Sequence, residues 1–241
     1  MIGMKTVIIA GLILSLSSLL GTYCGYRLKS IPDILHDVIT SFASGAMLAT
    51  AVFGLIEEAI ELSNVYLTLA GIALGVITVV LIDLHHPKSI QNFDRTSARI
   101  YLFVLAVAIH HFPEGLATGI AFTTENTFNS WALTSGIALH NFPESMIIMI
   151  MLLQTAMPIG KCALISALIA ALQFVATVLG FSLVSLASIL VPIGLAYASG
   201  TIIYTIVDDM IPETHGKEEN QLSSLAFIVG FCLIMVIERF G

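Results

Sequence analysis

Charged residues are scarce in this sequence: only 10% of its 241 residues are Asp, Glu, Lys or Arg, whereas 57% are hydrophobic. Soluble domains carry about 25% charged residues, so this composition excludes a soluble globular protein. Basic residues are the scarcer sign, with 9 Lys and Arg against 16 Asp and Glu. They cannot form the basic stripe that nucleic-acid binding requires. We therefore expect an integral membrane protein whose surroundings are lipid and which has no nucleic-acid partner.

Cysteine is also scarce, and the three residues present, Cys24, Cys162 and Cys232, are scattered along the chain. Each lies in or beside an apolar run, so their spacing fits neither a disulfide framework nor a metal-ligand cluster. Free cysteine packs as a small apolar residue. We expect these three to be packing residues.

Long apolar stretches account for most of the chain. They lie near residues 6–27, 37–60, 65–84, 99–122, 130–153, 160–185, 190–211 and 222–240. A membrane-spanning helix needs about 20 apolar residues, and stretches of this length without strand-like alternation form helices. The first stretch lacks the features of a removable signal peptide. The sequence thus predicts an all-α polytopic protein with eight transmembrane helices in a single domain over residues 1–241.

The loop charges indicate how these eight helices cross the membrane, because Lys and Arg are retained on the cytoplasmic side. With the N-terminus outside, seven basic residues fall on cytoplasmic ends or loops: Arg27, Lys29, Lys88, Arg95, Arg99, Lys161 and Lys217. Only Lys5 and Arg239 fall outside. We therefore expect a multi-pass protein of the cell membrane with both termini outside.

Two internal repeats are present. "IHHFPEG" at 109–115 recurs as "LHNFPES" at 139–145, on consecutive predicted helices. "FASGAMLATAVFGLIEE" at 42–58 resembles "YASGTIIYTIVDDMIPE" at 197–213, on predicted helices 2 and 7. Helices 1–3 are thus mirrored by helices 6–8, with helices 4 and 5 central, which is an inverted repeat typical of transport proteins.

The central repeat places polar and ionisable residues inside the membrane. They are His110, His111, Glu114, His140, Asn141 and Glu144. Because an Asp at the centre of a membrane helix costs about 2.5 to 3.5 kcal/mol on insertion scales, such residues suggest function. In each repeat, a histidine and the glutamate four residues later share one helical face. Imidazole nitrogen and carboxylate oxygen together suit zinc and other divalent first-row metals.

A proline follows the histidines of each motif, at Pro113 and Pro143. Proline cannot donate to the carbonyl four residues earlier, so the carbonyls of Ile109 and Leu139 are expected to be released beside the site. A released carbonyl is a further oxygen for a cation. The alternative is that these prolines only kink the helices while the His and Glu side chains bond one another between helices.

"HHFPEG" and "HNFPES" resemble the paired metal-binding motifs of the ZIP family of divalent metal transporters. "FASGAMLATAVFGLIEEAIE" on helix 2 and "YASGTIIYTIVDDMIPETH" on helix 7 are also similar to ZIP segments. The resemblance implies import of zinc, or sometimes iron, manganese or cadmium, through a site between helices 4 and 5, often as a homodimer. The residues that match the family's transport-site positions are His110, Glu114, His140, Asn141 and Glu144, together with Met47, which matches a metal-facing methionine.

The sequence departs from the family at two further positions, 111 and 173. Many bacterial relatives have a helix 6 glutamate that completes a second metal position, where this chain has Gln173, and His111 replaces a common asparagine. A complete two-metal site is therefore not expected. Several residues near the cytoplasmic helix ends form either a metal exit relay or ordinary helix-end charges: Asp83, His85, His86, Asp208 and Asp209.

Three alternative functions also use metal-binding residues inside a membrane. An intramembrane metalloprotease would need a motif such as HExxH, which does not occur here. A haem carrier could use His110 and His140 as axial ligands, but a carboxylate one turn after each has no role in that site. A metal-selective channel would use the same ligands as a carrier. We expect a transporter without enzymatic activity or catalytic cofactor, whose divalent metal is its substrate.

Overall fold

The computed structural model of this chain describes residues 3–84, 108, 111–123, 127–155, 157–184, 190–215 and 221–240. Helix makes up 93% of the structure, and these residues include no strand. The all-α prediction is confirmed. The apolar runs become helices because a backbone surrounded by lipid must hydrogen-bond within its own segment.

Eight helical segments follow one another along the described chain. They are α1 (Met4–Leu28), α2 (Asp33–Leu62), α3 (Val65–Leu84), α4 (111–121), α5 (Thr127–Leu153), α6 (Ile159–Val184), α7 (190–215) and α8 (Gln221–Phe240). The largest departures from the predicted ends are at α2 and α7, where α2 begins four residues early and α7 continues to 215. The predicted fourth helix, 99–122, lies partly outside the described residues.

The first helix ends at a local backbone signal. Lys29 has a φ of 62° and its N–H donates to the carbonyl of Gly25 over 2.9 Å. A positive φ cannot continue a right-handed helix, so α1 ends at this residue. Pro32 then precedes α2, and Asp33 places a negative charge in the first turn of that helix, where the helix dipole favours it.

Within the described residues, six helices are long and apolar enough to cross a membrane: α1, α2, α5, α6, α7 and α8. The apolar part of α3, Val65–Leu81, is shorter. Large apolar side chains also cover the outer faces of these helices, as Leu20, Leu168 and Leu225 show. Extensive exposed apolar surface of this kind marks a membrane contact, so the structure confirms a multi-pass membrane protein.

The inverted repeat is visible in how α2 packs on α8. A Cβ atom on Gly45 would overlap the carbonyl oxygen of Phe227, and a Cβ on Gly230 would overlap that of Phe42. Only glycine permits such a close approach of two helix backbones. The two helices therefore touch through their main chains.

The same contact recurs between α3 and α7. A Cβ on Gly200 would overlap the carbonyl oxygen of Ile72, and a Cβ on Gly75 would overlap that of Tyr197. Each α7 residue lies 155 positions after its α2 counterpart, and each α3 residue lies 155 positions before its α8 counterpart. The mirrored halves predicted from the sequence are thus confirmed in their packing.

Both long repeats also contain a wider π-helical segment, Thr50–Ile56 in α2 and Ile206–Met210 in α7. The same offset of 155 relates residues 51–55 to 206–210. Such segments are rare and often lie at functional sites. In each helix the π-helical segment follows the close glycine contact along the chain, at Gly45 in α2 and at Gly200 in α7. The two halves are therefore widened at equivalent positions.

The largest apolar core fills the space between α1, α2, α4, α5 and α7. Its buried members include Leu14, Met47, Ala117, Ile137 and Leu195. Close packing of this kind holds the helices at fixed distances. The core thereby positions the polar residues of α4 and α5 next to α6.

Candidate metal centre

The central polar residues come from three helices: Glu114 from α4, His140 and Glu144 from α5, and Gln173 from α6. A Cβ on Gly115 would meet the carbonyl oxygen of Gln173, and the two helices approach at backbone distance there. One turn later Gly119 makes the equivalent contact with α6. Gly115, which follows Glu114, thus allows the backbone of α6 at Gln173 to lie close to α4.

Glu114 is fully buried, and both of its carboxylate oxygens have a partner. Its Oε1 lies 3.1 Å from Nε2 of His140 in a hydrogen bond. Its Oε2 accepts a hydrogen bond of 3.1 Å from Nε2 of Gln173. A buried carboxylate is tolerated only with partners of this kind. Residues of α5 and α6 therefore hydrogen-bond the two oxygens of the Glu114 carboxylate.

Gln173 is also held at its other atom. Its Oε1 accepts a hydrogen bond of 2.8 Å from Nδ2 of Asn141. The amide orientation follows from this network, since its nitrogen faces Glu114 and its oxygen faces Asn141. One buried chain of hydrogen bonds thus joins His140, Glu114, Gln173 and Asn141.

Glu144 and His111 form the second acid–imidazole pair. His111 Nε2 lies 3.8 Å from Glu144 Oε2, and both side chains are buried. The sequence predicts a shared face for each histidine and the glutamate four residues later. The structure also brings each glutamate next to a histidine of the other helix, His140 with Glu114 and His111 with Glu144. His111 thus lies beside Glu144, while its part in a metal cluster stays a prediction.

Two buried polar atoms of α5 are left without a hydrogen bond. Nδ1 of His140 and Oδ1 of Asn141 have no hydrogen-bond partner among the residues that the structure describes. When His140 is neutral and directs its Nε2 proton at Glu114, Nδ1 keeps its lone pair. Unsatisfied buried atoms are costly, and nitrogen and oxygen lone pairs are the ligands that divalent first-row metals take.

The described residues contain no group of three or more His, Cys, Asp or Glu side chains arranged to hold a metal ion. The carboxylates and imidazoles stand as two pairs. His110, predicted as a ligand, lies outside the described residues. The convergence of His110, Glu114, His140 and Glu144 on one point therefore stays a prediction.

Among the other residues singled out from the sequence, the structure describes the side chains of Met47 and Asp208. Met47 lies on α2 and is fully buried in the large apolar core, together with Ile137 and Leu195. Asp208 is exposed on α7. His85 and His86 lie outside the described residues, as do the side chains of Asp83 and Asp209.

The bridging role of Gln173 was missed from the sequence, which marks this position only as a weakened second-metal ligand. Gln173 lies 59 residues after Glu114. Nothing in the spacing of α6 shows which of its faces meets α4. The glycines at 115 and 119, four residues apart, are the one signal that α4 approaches a neighbouring helix closely.

The profile of the ZIP zinc transporter family matches residues 83–238 of this chain. The chain is 33% identical to zinc transporter GufA of Myxococcus xanthus over 57% of its length and 54% of that protein. It is 25% identical to zinc transporter ZIPB of Bordetella bronchiseptica over 91% of its length and 76% of that protein.

It is also 36% identical to zinc transporter ZIP11 of Xenopus tropicalis over 58% of its length and 44% of that protein. The chain thus spans about half the length of two of these three relatives. The family profile covers well over half of the chain and includes α4 to α7, which carry the candidate site. This multi-pass membrane protein therefore belongs to the ZIP zinc transporter family.

Proposed function

We propose that this protein carries a divalent metal ion, zinc in the first place, across the cell membrane into the cytosol through the site between α4 and α5. The observation that carries the proposal is the buried Nδ1 of His140. It has no hydrogen-bond partner among the described residues, while its ring also contacts Glu114. An imidazole held by a carboxylate through one nitrogen is the usual arrangement of a metal-binding histidine.

In this proposal the metal ligands are His110, Glu114, His140, Asn141 and Glu144. His111 is an added neutral ligand, and Met47 faces the path of the metal. Gln173 holds Glu114 by the 3.1 Å hydrogen bond rather than binding the ion itself. Two glutamates neutralise one divalent cation, which supports a site for a single ion.

Transport by alternating access follows from the inverted repeat. The packed pairs α2 with α8 and α3 with α7 are related by the repeat, and such halves typically move against each other around a central site. An ion arriving at the centre loses water and binds between the two acid–imidazole pairs.

Uptake by proteoliposomes containing the purified chain tests the function. Zinc should accumulate inside with saturable kinetics, and an outward zinc gradient should accelerate entry of labelled zinc. The competing proposal is a metal-selective channel, which would give flux nearly linear with concentration and no such countertransport. Iron, manganese and cadmium added as competitors rank the metals, and the absence of any metal uptake would contradict the proposal.

We also propose that both termini lie outside the cell. Gly45 lies beside Phe227 and Gly54 lies beside Glu238, so α2 and α8 run in the same direction. This is the orientation that helices 2 and 8 of eight alternating spans must have. The distribution of basic residues gives the sidedness.

Cysteine labelling in whole cells measures this orientation. In a background without the three native cysteines, Tyr66→Cys at the start of α3 should react with an impermeant reagent. Ile34→Cys at the start of α2 should react only after the cells are opened. Both positions are exposed, at 85% and 61%, so accessibility is matched. Reaction of Ile34→Cys in intact cells would contradict the orientation.

Metal binding should compete with protons. Coordination requires neutral imidazole and ionised carboxylate, so binding an ion releases protons. Zinc affinity should fall as the pH is lowered from about 7.5 to about 5.5, the range in which imidazoles in general gain a proton. Zinc titrations of the purified protein at several pH values measure this, and an affinity independent of pH would contradict histidine ligation.

Gln173 should limit the site to one tightly bound ion. Two divalent ions a few ångströms apart repel strongly and need bridging negative charge, which a neutral amide cannot supply. Gln173→Glu should therefore raise the zinc bound per protomer from one toward two in equilibrium dialysis. Gln173→Met, similar in size and uncharged, is the control and should leave the stoichiometry at one. Two tightly bound ions in the unmodified protein would contradict the prediction.

A further inference from the structure

A polar cleft lies where α2 and α8 end, beside the start of α5. Its volume is about 210 Å³. A cavity needs about 10–15 Å³ by this measure to hold one water molecule, so the cleft has room for a hydrated ion. The polar residues that line it are Glu57, Glu58, Glu61, Asn129, Glu238 and Arg239.

The lining has more acidic than basic side chains, with four glutamates and one arginine. Arg239 Nη1 lies 2.8 Å from Glu57 Oε2 at the exposed rim and neutralises that carboxylate. Asn129 Nδ2 donates to Glu58 Oε2 over 3.4 Å. A cleft lined by one sign of charge concentrates the opposite ion, so this cleft attracts cations.

Two buried oxygens without a hydrogen bond point to a ligand, and one of them belongs to Glu238, which lines the cleft. Thr50 Oγ1 and Glu238 Oε1 have no hydrogen-bond partner among the described residues, and Thr50 is fully buried. A Cβ on Gly136 would stand 3.0 Å from the Thr50 oxygen and 3.3 Å from the Glu238 oxygen. The two oxygens therefore flank one small space, which is open because residue 136 has no side chain.

The residues beside this space lie one helical turn from residues singled out in the sequence. Thr50 lies one turn after Met47 on α2, and Gly136 lies one turn before His140 on α5. The π-helical segment of α2 begins at Thr50 and extends to Ile56, beside the cleft. The wider turn of such a segment is a common feature of binding sites.

We propose that the cleft is a second cation site, which a hydrated divalent metal ion occupies before it reaches the central site. The carboxylates of Glu58 and Glu238 and the hydroxyl of Thr50 are its oxygen donors. This inference rests on the proposed function, since it places the site on the path of the transported ion. An all-oxygen site holds a first-row metal less tightly than a site with imidazole, which allows the ion to move inward.

The first test is zinc uptake by proteoliposomes containing the full chain, measured at low ionic strength over a range of zinc concentrations. Glu238→Gln should raise the half-saturating zinc concentration about tenfold, the low end of the effect of electrostatic focusing. The maximal rate should stay within about twofold, because the central ligands are untouched. Glu58→Gln is the second variant and should act in the same direction.

Asp33→Asn is the matched control, because it removes one carboxylate from the exposed opposite end of α2. It should leave the half-saturating concentration unchanged. An equal rise in Asp33→Asn and Glu238→Gln would show that only the overall charge matters and would overturn the proposal.

Anomalous diffraction at the zinc edge then locates the ions directly. Zinc-soaked crystals of the unmodified protein should show a peak in the cleft, and crystals of Glu238→Gln should lose this peak but keep the central one. A wild-type map without a cleft peak overturns the inference and leaves the central site intact. Failure of the unmodified protein to take up metal would instead contradict the proposed function, while a cleft peak lost in Glu238→Gln would still support this site.

Discussion

Replacing Glu114 by alanine is expected to abolish zinc uptake, with a loss of at least about 100-fold. Residues that only support a metal ligand typically contribute 10- to 100-fold in affinity, and Glu114 is both a proposed ligand and the partner of His140 and Gln173. Its removal leaves the Gln173 amide without an acceptor and the site without half of its negative charge. Initial rates of zinc uptake by proteoliposomes, normalised to protein amount, measure the loss.

Glu144→Ala should have a comparable effect, whereas His111→Ala should retain part of the activity. The contact between His111 and Glu144 is long, at 3.8 Å, and His111 contributes no charge when neutral. Unfolding temperatures of all three variants separate a lost ligand from a lost fold. If His111→Ala lost as much uptake as Glu114→Ala at equal protein level and stability, our ranking of the ligands would be wrong.

Gly45→Val is expected to prevent the stable packing of α2 on α8. The new side chain would collide with the backbone carbonyl of Phe227, which cannot move without displacing α8. Overpacking a well-packed contact typically costs about 1–3 kcal/mol, and a collision with backbone belongs at or above the upper end. The fraction of monodisperse protein after heating, measured by size-exclusion chromatography in detergent, should fall sharply.

Gly160→Val is the control for this substitution, because a Cβ at that position meets no atom within 4 Å. It should leave the unfolding temperature nearly unchanged. Gly200→Val should resemble Gly45→Val, since Gly200 makes the equivalent contact with Ile72 in the other half. A stable Gly45→Val protein would show that the close approach of α2 and α8 does not occur in the membrane.

The helices, their approximate ends and their repeats were predictable from the sequence alone. Apolar runs of about 20 residues form helices in lipid, so the order of the helices follows from hydropathy. The glycines at 45 and 200 occupy equivalent positions of the long repeat, and both permit a close helix contact. The paired motifs also indicated the ZIP family, to which the chain belongs.

The side-chain pairing in the central site depends on the tertiary structure. A spacing of four places His140 and Glu144 on one helical face, but it does not determine which group on another helix each one meets. The distance and rotation of α4 relative to α5 pair His140 with Glu114 instead. The close backbone contact at Gly115 directs the Gln173 amide at the same carboxylate.

The acidic cleft likewise exists only in the folded chain. In the sequence, Glu238 is a charge at the end of an apolar helix, 180 residues after Glu58, and such charges usually face solvent. Because α2 and α8 run in the same direction and touch at Gly45, their ends meet and bring these carboxylates to one cleft. Local patterns determine which segments form helices, whereas contacts between distant segments decide which polar groups share a site.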